Sequence, residues 1–236
     1  MKLSIVVPCY NEVENIPELL AAYARVIVRN DIEIILVDNG STDTTKLLLE
    51  QLSPQYIHFL RVVTVPVNQG YGFGIIEGLK VAKGEFIGWT HGDLQTPPED
   101  VLSALRIIEA KGDPVSVFVK GRRYGRPLFD LFFTWGMSVF ETIYMGEVLY
   151  DVNAQPNVFH RSFFQKWTNP PHDFALDLYA LYTAKKQNIE IVRYQVPFLK
   201  RLHGESKWNT SFSAKWKFIK RTISFSVVLK KRLRSK

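Results

Sequence analysis

Short apolar runs recur through the first 120 residues, each closed by polar residues and followed by a stretch of helical periodicity. The runs fall at 3–7, 32–37, 57–63, 86–89 and 115–119, and are rich in β-branched and aromatic residues. Helix-like stretches occupy the neighbourhoods of 15–28, 44–52, 71–82 and 98–110. Strand-length runs alternating with helical patterns predict βαβ units and a mostly parallel sheet with helices on both faces. Thr96-Pro-Pro-Glu99 reads as a helix start, with proline in the first turn and an acid behind it.

The pattern changes after residue 128. Residues 128–150 carry seven aromatics, Phe129, Phe132, Phe133, Trp135, Phe140, Tyr144 and Tyr150. The uncharged stretch 131–140 is far short of the roughly 20 residues that a spanning helix requires. Two readings fit the segment: a pair of core helices, or a helix lying in a membrane interface. Near the C-terminus Phe212, Trp216, Ile219, Ile223 and Val227 recur at helical spacing, while Lys215, Lys217, Lys220 and Arg221 fall mostly off that stripe. This predicts a basic amphipathic helix, set either on a membrane surface or against the domain.

Charge sharpens the division. The chain carries a formal net charge of +7, yet residues 206–236 hold ten Lys or Arg and no Asp or Glu. Residues 1–205 keep twenty basic and twenty-three acidic side chains. The organisation expected is a catalytic-type domain over 1–205 and a basic tail over 206–236. Such asymmetry suits an anionic membrane surface, and nucleic acid less well. The single cysteine, Cys9, excludes an internal disulfide framework and fits a reducing, cytoplasmic compartment. Met1-Lys2 runs straight into the first apolar segment, so no signal peptide is expected.

The polar clusters carry the chemistry. Pro8-Cys-Tyr-Asn-Glu12, Asp38-Asn-Gly-Ser-Thr-Asp43 and His91-Gly-Asp-Leu-Gln95 each close an apolar run. Ligands of open α/β sheets bind at the carboxyl ends of strands, so three clusters there point to one shared site. The first turn lacks the glycines that a Rossmann dehydrogenase needs for its pyrophosphate. Tyr10 can stack on a base or ribose, Glu12 can accept from a ribose hydroxyl, and Asp38 can accept from a base N–H. Ser41 to Asp43 reads as helix capping. Asn68-Gln-Gly-Tyr-Gly-Phe-Gly74 reads as a loop shaped by its glycines. His91 and Asp93, separated by glycine, can bracket a divalent ion with Gln95 close by, and the ion would bridge a nucleotide diphosphate.

This ordered series resembles family 2 glycosyltransferases of GT-A fold, and within them the dolichyl-phosphate mannose synthase-like branch. Later segments extend the resemblance to about residue 208: Lys120-Gly-Arg-Arg123, Tyr150-Asp-Val-Asn-Ala-Gln-Pro156, and Arg201 through Gly204-Glu-Ser-Lys207. It implies an inverting transferase that takes sugar from a UDP- or GDP-sugar donor to a membrane-embedded acceptor, foremost a polyprenyl phosphate. A lipid-linked or cell-surface glycan hydroxyl is the other acceptor, and a non-catalytic nucleotide-binding protein or a nucleotidyltransferase is the rival reading. The resemblance implies Pro8, Tyr10, Glu12 and Asp38 for the nucleotide, and Asp93, His91 and Gln95 for the metal. Arg122, Arg123, Arg201 and Lys207 would bind phosphate oxygens. Asp93 and Asp151 are the catalytic candidates. A hydroxyl acceptor would need a base, Asp151 first and Asp177 second, the latter competing with a helix-surface role. The family usually has aspartate at position 91. Histidine there removes a charge and favours Mn²⁺ over Mg²⁺. The protein implied is peripheral, on the cytoplasmic face of a membrane.

Overall fold

The structure is a computed structural model that describes residues 1–125, 128–197, 199 and 212–234, with backbone alone for 128–130, 212–218 and 234. Its described strands form one mixed sheet. They are β1 (Leu3–Cys9), β2 (Ile32–Asn39), β3 (Leu60–Val65), β4 (Phe86–Trp89), β5 (Val117–Tyr124), β6 (Asn157–His160) and β7 (Glu190–Pro197). The order across the sheet is β3-β2-β1-β4-β6-β5-β7. Neighbours pair in parallel except β6, which runs antiparallel between β4 and β5.

The helices are α1 (Ile16–Val26), α2 (Thr45–Leu52), α3 (Tyr71–Val81), α4 (Glu99–Glu109), α5 (Leu128–Met145), α6 (Arg161–Gln165), α7 (Leu176–Lys186) and α8 (Phe212–Arg234). The first four follow the predicted positions closely. The strand expected at 57–63 instead begins at Leu60, because residues 53–56 form a short 3-10 turn that delays it. The segment 128–145 is one helix, not a pair.

Strands β1 and β2 are buried on both faces, and their uninterrupted apolar runs reflect this. Alternate residues feed two cores. Ile5, Val7, Ile34 and Leu36 meet α1 and α4 through Leu19, Leu20, Leu105 and Ile108. Val6, Ile35 and Val37 meet α3 and α7 through Ile75, Leu79, Leu178 and Leu181. Burying a side chain of this size contributes about 1.5–3 kcal/mol. These two layers hold β1, β2 and β4 rigid at the edge where their polar clusters emerge.

Helix α8 joins the second core. Leu229 is buried, and Phe225 and Leu233 pack beside it. Of the expected stripe, Ile219, Ile223 and Val227 are half-buried, while the side chains of Phe212 and Trp216 lie outside those described. The described part of the helix is therefore docked, and it turns Lys220, Arg221, Ser224, Val228 and Lys231 outward. Among the described residues no helix is long and apolar enough to cross a membrane.

Candidate active site

Strand register sets the first half of the site. Cys9 pairs with Asp38, and Val6 with Trp89, so the loops after β1, β2 and β4 leave the sheet side by side. Asn11 ties the first two together. It adopts φ 56°, its N–H donates to Ser41 Oγ (3.0 Å), and its Oδ1 accepts from Thr42 N (2.8 Å). Sequence reasoning passed over Asn11, whose signal was its place between Tyr10 and Glu12. Tyr10 is exposed, as a stacking platform must be. The Glu12 N–H donates to Thr45 Oγ1, and its carboxylate accepts from Asn15 Nδ2 at 2.5 Å. Asp38 is buried and accepts from Ser41 N at 3.0 Å. Asp43 accepts from Thr45 N, the capping role expected of it.

The third loop lies against β1, since a side chain at Gly92 would meet Val7, Pro8 and Cys9. Asp93 is buried and accepts from Gln95 N at 3.2 Å, forming a tight turn through Leu94 at φ 56°. A leucine in that region stores strain, and such outliers cluster at functional sites. Gln95 reaches the other way. Its Nε2 donates to Leu199 O (3.0 Å), and its carbonyl accepts from Leu199 N (3.1 Å). The loop after β4 is thus clasped to the chain just beyond β7. Arg201 and Lys207 lie outside the described residues.

Arginines gather at the end of β5, with the antiparallel β6 between them and β4. Arg123 donates from its backbone N–H and from Nε to Asp151, both at 2.9 Å, and its Nη2 bonds the same carboxylate. Burial pushes the Asp151 carboxyl up, but the Arg123 guanidinium more than offsets this and holds it below the ordinary carboxylate range. Asp151 is therefore a weak proton acceptor in this arrangement. Arg122 is exposed, 5.9 Å from the Tyr150 ring. Arg193 on β7, absent from the sequence reading, bonds the carbonyls of Gly121 and Tyr150. Burial pulls its pKa down to about 10.

A buried polar chain runs between the two halves. Asp177 Oδ1 accepts from Trp89 Nε1 (3.3 Å), Gln155 Nε2 (3.1 Å) and Asn157 Nδ2 (3.1 Å). Gln155 also bonds the Tyr71 hydroxyl at 3.0 Å. Lys120, fully buried, donates to Asn157 Oδ1 (2.6 Å) and Ala154 O (3.1 Å), with Asp177 at 3.9 Å. Burial pulls the Lys120 pKa down to about 7, and nearby Asp177 only partly restores it. One expectation is corrected here. Asp177 is not on a helix surface but buried at the start of α7. Lys120, in the basic segment of β5, points into the core, where Asp177 and Asn157 supply its partners.

The glycine loop packs on the segment before α7. A side chain at Gly70 would meet His172 O at 2.5 Å, and one at Gly72 would meet Asp173 O at 2.7 Å. Tyr71, at the start of α3, can therefore stack on Phe174, with ring centroids 4.8 Å apart. The loop shapes this wall of the site.

A family model for glycosyl transferase family 2 matches residues 4–169. The chain belongs to that family. Its fold is the GT-A arrangement, a mixed, mainly parallel sheet between helices. The matched residues hold the carboxylate edge, Arg122 and Arg123, and stop short of Arg193 on β7. An undecaprenyl-phosphate 4-deoxy-4-formamido-L-arabinose transferase of Pseudomonas fluorescens is 36% identical over 123 residues, 51% of this chain and 36% of that protein. A dolichol-phosphate mannosyltransferase of Pyrococcus furiosus is 32% identical over 123 residues, 51% of this chain and 34% of that one. The chain thus spans well under two thirds of the curated relatives it matches. Among solved structures, glucosyl-3-phosphoglycerate synthase of Mycobacterium tuberculosis, with phosphoglyceric acid, superposes with a TM-score of 0.71 at 18% identity, covering 95% of this chain and 80% of that one. A mannosyltransferase from Pyrobaculum calidifontis, with GDP-Man and Mn²⁺, gives 0.70 at 17% identity, covering 98% and 64%.

Proposed function

We propose that this family 2 chain is an inverting glycosyltransferase that moves a sugar from a UDP- or GDP-sugar to a membrane-embedded polyprenyl phosphate. One observation carries the reading. A carboxylate edge, Glu12, Asp38 and Asp93, stands on the same sheet as an arginine corner, Arg122, Arg123 and Arg193. The first suits a nucleoside and a cation, the second a phosphate. The relatives named for undecaprenyl phosphate and dolichol phosphate support a lipid phosphate as acceptor.

Pro8 and Tyr10 flank the base, Asp38 accepts from its N–H, and Glu12 accepts from the ribose. The donor set fits a divalent metal completed by substrate. Among the described residues no three acidic, histidine or cysteine side chains converge as a full cage. Asp93 and His91 would supply the protein ligands, with diphosphate oxygens for the rest, as hard cations accept. Such a cation neutralises charge on the departing diphosphate. Gln95 would join them through its Oε1, while its Nε2 donates to Leu199 O. Imidazole at position 91 favours Mn²⁺ over Mg²⁺.

An ionised phosphate is already nucleophilic, so the residues need only position and stabilise. An acceptor oxygen attacks the anomeric carbon from the face opposite the diphosphate. The new carbon–oxygen bond forms as the bond to the diphosphate breaks, and the nucleoside diphosphate leaves with that electron pair. Arg122, Arg123, Arg201 and Lys207 hold phosphate oxygens. Asp151 aims Arg123; should the acceptor be a sugar hydroxyl, Asp151 is the first base to test and Asp177 the second, and the Arg123 pair that lowers the basicity of Asp151 weighs against it. The protein works on the cytoplasmic face of a membrane, drawn there by the basic tail.

The test is transfer of radiolabelled sugar from UDP- and GDP-sugars to a polyprenyl phosphate in detergent, with Mn²⁺ or Mg²⁺. Transfer with one donor, stronger in Mn²⁺, is expected, and His91→Asp should shift use toward Mg²⁺. Transfer to glycan hydroxyls alone, with lipid phosphate inert, would replace the acceptor. No transfer from any donor would overturn the reading.

A further inference from the structure

Helix α5 leaves the sheet just after Arg123 and the chain returns at Asp151. The ion pair between these residues therefore closes the excursion at its base. On its inner side the helix is anchored conventionally. Met145 and Leu149 are buried in the core, Ser138 Oγ receives Asp151 N, and Glu141 is buried against Ser226 of α8. The outer side is different. Between residues 131 and 150 every residue classed as exposed is apolar, glycine or tyrosine: Phe132, Trp135, Gly136, Val139, Ile143, Gly146, Val148 and Tyr150. Phe132 is 65% exposed, Trp135 58%, Ile143 77% and Val148 70%. Phe132, Trp135, Val139 and Ile143 fall at helical spacing and make one continuous stripe. Soluble monomers rarely leave so contiguous a patch in water, and where it occurs it marks a docking surface.

The surroundings choose among occupants. Helix α8 lies against α5, with Lys230 over the Tyr144 ring at 4.4 Å. Its outward face carries Lys220, Arg221 and Lys231, and no acid occurs anywhere from 206 to 236. A second copy seated on the stripe would bring two such basic faces together, and like charges oppose that contact. An anionic bilayer meets both features at once: aromatic and aliphatic side chains enter the headgroup boundary while lysine and arginine meet lipid phosphates.

We infer that the outer face of α5, with the basic face of α8 beside it, is the surface by which this protein lies on an anionic membrane. The inference rests on the reading of a lipid-borne acceptor and deepens it. The stripe ends at Tyr150, whose ring faces Arg122 and whose neighbour Asp151 holds Arg123. A phosphate at the bilayer surface is thereby brought level with the arginine corner. The docked face of α8, formerly the obvious anchor, is occupied by the core. The apolar part of the membrane contact belongs instead to α5, and the outward basic face of α8 supplies the charge.

The experiment is vesicle flotation of the 236-residue protein with phosphatidylcholine vesicles containing or lacking phosphatidylglycerol. Wild type should float with anionic vesicles, less so with neutral ones. The triple variant Phe132→Glu, Trp135→Glu, Ile143→Glu should lose about a hundredfold in partition. An unchanged melting temperature and unchanged UDP or GDP binding will certify its fold. Should it fail to fold, Trp135→Phe serves in its place. Brominated lipid should quench wild-type fluorescence, and Trp135→Phe should remove most of that quenching. Flotation of a folded triple variant equal to wild type, or quenching that survives Trp135→Phe, overturns the inference. So does a wild-type dimer in sedimentation that the triple variant abolishes, since the stripe would then be a self-contact. Failure of the acceptor reading looks different: vesicle binding by the stripe persists while no lipid phosphate receives sugar.

Discussion

The half of the sheet made of β1 to β4 and the half made of β5 to β7 handle charge in opposite ways. In the first, carboxylates sit at strand ends and are steadied by neighbouring N–H groups: Ser41 N on Asp38, Gln95 N on Asp93. In the second, cations stand among counter-ions within the protein: Arg123 on Asp151, Lys120 near Asp177. The contrast follows from what each half would bind. A nucleoside and a cation want acceptors whose geometry is set by backbone. A phosphate wants guanidinium groups, and a guanidinium left unpaired beside others would be repelled or would wander. Asp151 holds Arg123 in place at the expense of its own basicity.

Four expected outcomes would break or sharpen that comparison. The largest is Asp93→Asn. Losing the metal-holding carboxylate should lower the rate of sugar transfer at least about a hundredfold at saturating Mn²⁺, ~2.7 kcal/mol or more of transition-state stabilisation. Near-normal turnover by the folded variant would remove Asp93 from the reaction. Next is Asp38→Ala, which should weaken binding of UDP or GDP by about 1–3 kcal/mol in calorimetry, the usual effect of leaving a polar group without its partner. The same titration with Asp151→Asn should be unchanged, since that residue serves the other half.

Asp151→Asn makes the third. If Asp151 aims Arg123, transfer should fall roughly tenfold through acceptor KM, evenly across pH, a loss of about 1.4 kcal/mol. A loss confined to kcat that tracks the titration of one group would instead make Asp151 a base. The fourth and smallest concerns stability. Burial pushes the Glu141 carboxyl up to about 7, and a bond with Ser226 only partly offsets this. The folded chain then keeps a proton that the unfolded chain releases, so stability falls as pH rises from about 4.5 to 7. Lys120, pulled down to about 7 from 10.5, acts oppositely, and stability rises over that upper window. Thermal melts at pH 5, 7 and 9 should show Glu141→Gln flattening the lower limb and Lys120→Met the upper, each by about a few degrees.

The same contrast explains what could be read from the chain. The first half was legible in order and type, β3 starting late, because its strands are buried runs between amphipathic helices, and each polar cluster follows its strand directly. Asp38, Asp93 and Tyr10 stood out by position, and the structure sets them at neighbouring strand ends. The second half hides its logic in partners far apart in sequence. Strand β6 spans only Asn157–His160, and β7 mixes charged with apolar residues, so neither shows a clean period. The burial of Lys120 shows only once the fold brings Asp177 beside it, and for the same reason Asp177 reads equally as a base or as a helix-surface acid. Arg193 sits in no motif, and only pairing of β5 with β7 places it beside Gly121. The apolar stripe of α8 was legible as a stripe. That a neighbouring line through Phe225 and Leu229 would dock it on the core was not.

If the proposed site is right, the clasp between Gln95 and Leu199 would tie two recognition events into one thermodynamic cycle. The turn that holds Asp93 and the chain that leads to Arg201 and Lys207 share two hydrogen bonds. A donor that tightens the Asp93 turn changes the free energy of whatever Leu199 must do next, and reciprocity makes the reverse true by the same factor. Occupancy by the nucleotide sugar and occupancy by the acceptor phosphate would then be cooperative. Either occupant would then change the affinity for the other through the two hydrogen bonds between Gln95 and Leu199.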